Sequence, residues 1–258
     1  MLKVDLDLND AKQRIATFIK RKVAEAGADG VVIGLSGGID SAVVAYQCVE
    51  ALGSRRVLSL IMPDLRVTPE EDIKDAKMIA DELCIEQRTI DIAPIHRSFV
   101  KNLESNRLAE GNLRARIRMS LLYYHANTMN RLVAGTGDRS ELLLGYYTKF
   151  GDGGVDILPI ADLYKTEVRR LGEILGIKRR IISKRSSPRL WSGQLAETDI
   201  GLPYDVVDDV LKLHFDNGAD AKTIGSKLKV KRSLVESLLS RYTATSHKRM
   251  LPEICHLR

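Results

Sequence analysis

A doubly wound parallel α/β sheet with a helical C-terminal extension is the fold this sequence predicts. Short apolar runs alternate with amphipathic stretches as far as residue 175, the pattern of buried strands joined by crossover helices. A glycine-rich turn follows the first run, at the carboxyl end of a strand, where open sheets of this kind bind ligands. From residue 203 onward the pattern is helical, and no linker separates it. Residues 1–202 therefore read as the core and 203–258 as its extension.

Each element has its own signal. Residues 8–27 put Ile15, Phe18, Ile19 and Val23 on one helical face. After Gly30, Val31-Val-Ile-Gly-Leu35 reads as a buried strand, and Ala42 to Leu52 as an apolar helix. Val57-Leu-Ser-Leu-Ile-Met62 is a second strand. Thr68-Pro69-Glu70-Glu71 predicts a helix start, with Thr68 as N-cap and Glu71 closing a capping box, running to about Leu83. Thr89-Ile-Asp-Ile92 predicts a third strand, residues 94–105 a helix, and Leu113 the start of a long one. On that long helix Leu113, Ile117 and Leu121 form a core face. Arg116, Ser120, Tyr123 and Asn127 form a polar face able to meet a ligand, and Arg114 and Arg118 read as a solvated row. Leu132-Val-Ala-Gly135 is a fourth strand, and Gly151-Asp-Gly-Gly154 a loop. Asp162 is placed to cap a helix reaching Leu175, with Gly176 as its stop.

Composition narrows the function classes. Hydrophobic residues at 44% suffice for a core, and no stretch approaches the roughly 20 apolar residues of a membrane span. The acidic N-terminus lacks a signal-peptide core, so a cytoplasmic protein without a membrane partner is expected. Cys48, Cys84 and Cys255 are scattered, which excludes a disulfide framework, a zinc ribbon and a C-x-x-C sulfur relay. A net charge of +6 suits an anionic partner, nucleotide or nucleic acid.

The sharpest signal is Gly34-Leu-Ser-Gly-Gly-Ile-Asp-Ser41 between a strand and a helix. Glycines allow a tight turn and close approach to a ligand. The free amides at the helix start then favour phosphate. Gly34, Leu35, Ser36, Gly37, Gly38, Ile39, Asp40 and Ser41 are the candidate ATP-binding residues, Ser36 and Ser41 adding hydroxyls. The Asp40 carboxylate suits a magnesium ion bridging to phosphate oxygens. Neither a Walker spacing nor G-x-G-x-x-G is present. S-G-G-x-D-S is instead the pyrophosphate-loop pattern of enzymes that cleave ATP between its α and β phosphates. A plain turn with a helix cap is the alternative, and the two serines and the aspartate weigh against it.

The segments Asn112-Leu-Arg-Ala-Arg-Ile-Arg-Met-Ser-Leu-Leu-Tyr-Tyr124, Gly135-Thr-Gly-Asp-Arg-Ser-Glu141, Leu144 through Ile160, and Asp162-Leu-Tyr-Lys-Thr-Glu-Val-Arg169 resemble the NAD synthetase family, over nearly the whole chain from about residue 10. The resemblance implies a Rossmann-like, adenine nucleotide α-hydrolase-like sheet. It implies that the chain amidates deamido-NAD with ammonia and ATP, giving NAD, AMP and pyrophosphate through an acyl-adenylate, as a homodimer. It gives Thr136, Lys165 and Ser187 as ATP contacts, and Arg116, Lys149, Asp156, His247 and Lys248 as deamido-NAD contacts. Asp40 and Glu141 would hold magnesium, and with Lys165 they are the catalytic candidates. Asp156 has a second reading, a loop aspartate accepting backbone amides, while for Tyr146 and Tyr147 core packing is favoured over stacking on a nicotinate or adenine ring. Length leaves no space for the amidase domain of glutamine-dependent relatives, so free ammonia is the expected donor.

Two stretches need separate treatment. Lys184-Arg-Ser-Ser-Pro-Arg-Leu190 aligns with a family phosphate loop of pattern K-x-P-[ST]-A-x-L, but Ser186 and Pro188 replace the usual Pro and Ala. Residues 221–242 have helix–turn–helix spacing, with Ile224, Leu228, Val230, Leu234 and Leu238 as core positions and five basic residues around them. A helical cap ending in a substrate-touching tail at His247-Lys-Arg249 is favoured over a DNA-binding module, so no nucleic-acid partner is expected. A tRNA-thiolating or GMP-forming enzyme with the same glycine turn is the other competing class.

Overall fold

The computed structural model describes residues 6–257. Residues 1–5 and Arg258 lie outside the described residues, and with them half of the acidic N-terminal stretch. Strands β1 (Gly30–Gly34), β2 (Val57–Ile61), β3 (Glu86–Thr89) and β4 (Arg131–Ala134) form a wholly parallel sheet in the order β3-β2-β1-β4. A parallel bridge from Ala134 to Ile157 extends it past β4.

Alternation along the strands builds two cores. Val31, Ile33, Val57, Ile61 and Ala134 face helices α1 (Leu8–Glu25), α2 (Ile39–Leu52), α3 (Glu70–Glu82) and α7 (Lys165–Ile174). Val32, Leu58 and Val133, paired across the sheet, face the opposite side with Ile117 of α5 (Arg107–Thr128) and, beside it, α4 (Ala93–Val100). Each such side chain, fully buried, contributes roughly 1.5–3 kcal/mol relative to exposure. Short helices α6 (Arg139–Leu144), α8 (Arg179–Ile182) and α9 (Ala196–Ile200) follow the sheet strands. A third cluster joins α10 (Tyr204–Leu211), α11 (Ala221–Leu228) and α12 (Arg232–Ala244) to Leu144 and Tyr164. Among the described residues no helix is long and apolar enough to cross a membrane.

Several expected boundaries move, each for a local reason. Thr68 does not cap α3: its hydroxyl accepts the Asp64 N–H at 3.1 Å in the turn after β2, and Pro69 becomes the N-cap. Strand β3 comes earlier than 89–92, because the chain pairs with β2 directly after a left-handed turn at Cys84. As an edge strand it is mostly exposed and carries no apolar run. Helix α4 stops at Val100 rather than 105, and α5 starts at Arg107, where Asn106 accepts the Ala109 N–H. Asp162 pairs with Arg139 instead of capping α7, and Glu167 accepts the Tyr164 N–H in its place. In the C-terminal helices Ile224 and Leu238 are buried, while Val235 and not Leu234 fills the interior of α12.

Arg114 and Arg118 are not a solvated row. Arg114 is buried, its Nε 2.8 Å from Asp64, and the Arg118 Nε donates to the Met62 carbonyl at 2.9 Å. Burial pushes Arg118 down to about 10. Both arginines stabilise polar groups at the carboxyl end of β2, which neither face of α5 could indicate alone. Burial would push the Asp64 carboxyl up, but hydrogen bonds from Arg66 and Arg114 outweigh it and hold it well below the usual carboxylate range. The stabilisation from this ion pair is therefore complete above the ordinary carboxylate value near 4 and fades as pH falls below it. Asp64→Asn is expected to destabilise the fold by about 3–5 kcal/mol at pH 7, with the gap to wild type narrowing towards pH 3. Denaturant titrations at both pH values check this, and a pH-independent gap would contradict it.

Candidate active site

The glycine turn leaves β1 at its carboxyl end and enters α2, and Thr136 follows β4 next to it. Strands β2 and β4 flank β1 on opposite sides, so the turn sits where the strand order reverses. Gly37 must be glycine: its φ is +77°, and a Cβ would lie 2.3 Å from the Asp72 carbonyl oxygen. Its own carbonyl accepts from Lys184 Nζ at 2.9 Å. The Ser36 and Ser41 hydroxyls are 3.0 Å apart, and each also bonds turn backbone, Ser36 Oγ accepting the Gly38 N–H. They brace the turn rather than point freely outward.

A cavity of about 610 Å³ opens over this turn. Gly34, Leu35, Ser36, Gly38, Ile39, Asp40, Ser41, Thr136, Glu141, Ser187 and Lys248 line it, with Tyr146 and Tyr147 further along. Both tyrosines are half-buried and line the cavity, and Tyr146 also packs against the C-terminal core cluster, as expected for it. Ser187 donates its hydroxyl to the Gln194 carbonyl at 2.6 Å, which closes its loop on itself. Lys248 Nζ donates to the carbonyls of Gly145 and Tyr147, both at 2.7 Å. Gly37, Arg116, Lys149, Asp156, Lys165 and His247 do not line the cavity. Arg116 and Lys149 are neighbours, the guanidinium 3.4 Å from the Lys149 carbonyl, and His247 is exposed. Asp156 accepts the Val133 N–H at 2.7 Å and the Tyr123 hydroxyl at 2.9 Å, so it ties the loop to β4 and α5.

Under the turn lies a buried ionic cluster. Lys165 is fully buried at the first position of α7, where the helix dipole disfavours a cation. Its Nζ lies 2.7 Å from Asp40, 2.9 Å from Asp138 and 3.2 Å from Glu141. Burial alone would lower the lysine; the three carboxylates outweigh it and raise its pKa well above the ordinary value. Burial pushes Asp138 up to about 6 and Glu141 well above the carboxylate range, against the pull of Lys165. Three carboxylates against one ammonium leave an excess of negative charge, and Asp40 Oδ1 is buried without a partner. Asp40 and Glu141 also reach the cavity, so the cluster's excess negative charge and the unpartnered Asp40 oxygen face a ligand.

Four participants, Asp138, Lys184, Arg189 and Asp208, are not among the residues the sequence singles out. Asp138 closes a capping box with Glu141, a D-x-x-E signal legible in Asp138-Arg-Ser-Glu141. Lys184 bonds Asp72 at 2.9 Å and Asp75 at 2.6 Å, and Arg189 bonds Asp72 at 2.8 Å, which pins loop 184–194 across the glycine turn. No local spacing could announce these contacts, since more than 100 residues separate the partners. Asp208 bonds Ser140 and Thr166 from the C-terminal helices, again across long sequence separations.

Strand, glycine turn and helix in this order, with acidic side chains beneath the turn, define an α/β protein of the adenine nucleotide α-hydrolase-like class. The chain belongs to the NAD synthase family, whose profile matches residues 11–252. An NH(3)-dependent NAD(+) synthetase of Archaeoglobus fulgidus is 57% identical over 202 residues, 78% of this chain and 82% of that protein. Among solved structures, an NMN synthetase from Francisella tularensis superposes with a TM-score of 0.86 at 33% identity, covering 98% of this chain and all of that one. An NH3-dependent NAD synthetase from Campylobacter jejuni gives 0.83 at 34% identity, covering 97% and 100%.

Proposed function

We propose that this chain is an ammonia-dependent NAD synthetase, a cytoplasmic ligase that converts deamido-NAD, ATP and ammonia into NAD, AMP and pyrophosphate. The observation that carries the reading is the convergence of a phosphate-type glycine turn with Asp40 and Glu141 at one cavity, with Lys165 buried behind both carboxylates. A carboxylate resists ammonia because it repels nucleophiles and offers no leaving group. Attack of the nicotinate carboxylate on the α phosphorus expels pyrophosphate and forms an acyl-adenylate. Ammonia then adds to that carbonyl, AMP leaves, and a proton is released. Turn amides 36–41 and the α2 N-terminus receive the phosphates, and Lys165 supplies positive charge beside them. Thr136 and Ser187 contact ATP. No covalent enzyme intermediate is needed, so positioning and electrostatics carry the rate.

Two cavity-facing carboxylates, one of them with an unpartnered oxygen, suit magnesium, which prefers one or two carboxylates plus substrate phosphates. Asp40 and Glu141 would hold it, and when bound it neutralises phosphate charge. Lys248 and His247 are proposed to touch deamido-NAD with Arg116, Lys149 and Asp156. That four of these lie outside the cavity fits a homodimer whose partner subunit completes the dinucleotide site.

Purified protein given ATP, magnesium, ammonium and deamido-NAD is expected to form NAD, AMP and pyrophosphate in equal amounts. Xanthosine monophosphate should give no product. Nicotinate mononucleotide belongs in the same assay; faster amidation of it than of deamido-NAD would overturn the substrate choice.

A further inference from the structure

The C-terminal extension reaches the reaction centre from behind. Helix α10 and the single π-helical turn after it, Lys212–Asp216, carry Asp208, Lys212 and Asp216 four residues apart, so all three share one face. That face docks on the α6 helix and the first turn of α7. Lys212 pairs with Glu167 at 2.8 Å, and Asp216 accepts from Arg139 at 2.8 Å and from the Tyr164 hydroxyl at 3.0 Å. Asp208 lies deepest, 1% exposed. One of its oxygens accepts the Ser140 hydroxyl at 2.6 Å, and the other accepts the Thr166 N–H at 2.7 Å. Ser140 Oγ in turn accepts the Lys165 N–H at 3.0 Å.

The consequence is geometric. Ser140 immediately precedes Glu141, and Thr166 immediately follows Lys165. A single carboxylate therefore clamps the backbone that carries Glu141 to the backbone that carries Lys165. Tyr204, one turn earlier on α10 and also fully buried, sets its ring 5.2 Å from Lys165 Nζ. We propose that Asp208 is a positioning residue of the amidation reaction, fixing the Lys165–Glu141 geometry from the C-terminal extension. Asp208 touches no reacting atom. Its role rests on the function assigned above, in which Lys165 and Glu141 act together on the nucleotide.

Asp208→Asn tests this, because an amide presents only one acceptor to two donors. With the amide oxygen on the Thr166 N–H, the amide nitrogen faces Ser140 Oγ, whose proton loses its acceptor, and the first turn of α7 loses its anion. In the full-length protein, kcat is expected to fall about 100-fold while KM for ATP changes by less than about threefold, since small misplacement at a reaction centre costs rate more than binding. The crystal structure of the variant is expected to show the 3.2 Å contact between Lys165 and Glu141 lengthened beyond hydrogen-bond range. Ser140→Ala cuts the same relay from the α6 side and supplies the result if Asp208→Asn does not fold. When both fold, the double variant is expected to lose little more than either single one. An unchanged contact overturns the inference whatever the turnover, and so does wild-type kcat with the contact broken. Should the wild type fail to form amide while the variant loses the contact, the assigned function falls and the clamp stands.

Discussion

Lys165→Met is expected to abolish NAD formation and to lower folding stability by about 3–5 kcal/mol at neutral pH. The ammonium is fully buried and lies within 3.2 Å of three carboxylates. Methionine fills nearly the same volume, so packing is kept and the loss is electrostatic. Removing the cation leaves Asp40, Asp138 and Glu141 facing one another without compensation, the costly way to break a buried ion pair. Because the proposed metal position draws on two of the same carboxylates, magnesium is expected to raise the melting temperature of the variant more than that of the wild type. Thermal unfolding with and without magnesium measures this, and a variant as stable as wild type would show that Lys165 does not neutralise the cluster.

Asp40→Ala is expected to behave differently, losing pyrophosphate release by at least about 1000-fold, or ~4 kcal/mol of transition-state stabilisation, while unfolding close to the wild-type temperature. Asp40 sits at the cavity edge with its side chain 22% exposed, and one oxygen has no partner. Its removal relieves negative charge around Lys165 instead of stranding it, since Asp138 and Glu141 remain. Catalytic loss without structural loss is therefore the signature of a ligand-directed carboxylate. A coupled pyrophosphate assay beside a melting curve separates the two, and retained turnover would reject the metal assignment.

The contrast between these residues marks what sequence could and could not supply. The turn at Gly34 to Ser41 was legible because a tight passage from strand to helix needs contiguous glycines and small polar residues of fixed type. Strands β1 and β2 were legible because both faces are buried and every residue is apolar or small, and β4 because Leu132-Val-Ala keeps an apolar run after Arg131. Edge strand β3 was displaced for the opposite reason: its exposed residues, Glu86-Gln-Arg-Thr89, carry no periodic signal. Arg114 was taken for a surface residue because helical spacing cannot reveal Asp64 waiting 50 positions away. The clamp at Asp208 joins α10 to α6 and α7 across 68 and 42 positions, and only the folded chain brings them together.

The most direct measurement follows oxygen. With deamido-NAD carrying ¹⁸O in its nicotinate carboxylate, turnover with ATP and ammonium is predicted to deliver one labelled oxygen to AMP and none to pyrophosphate. Label appearing in inorganic phosphate, with ADP as the nucleotide product, would contradict activation at the α phosphorus and with it the assigned role of the glycine turn.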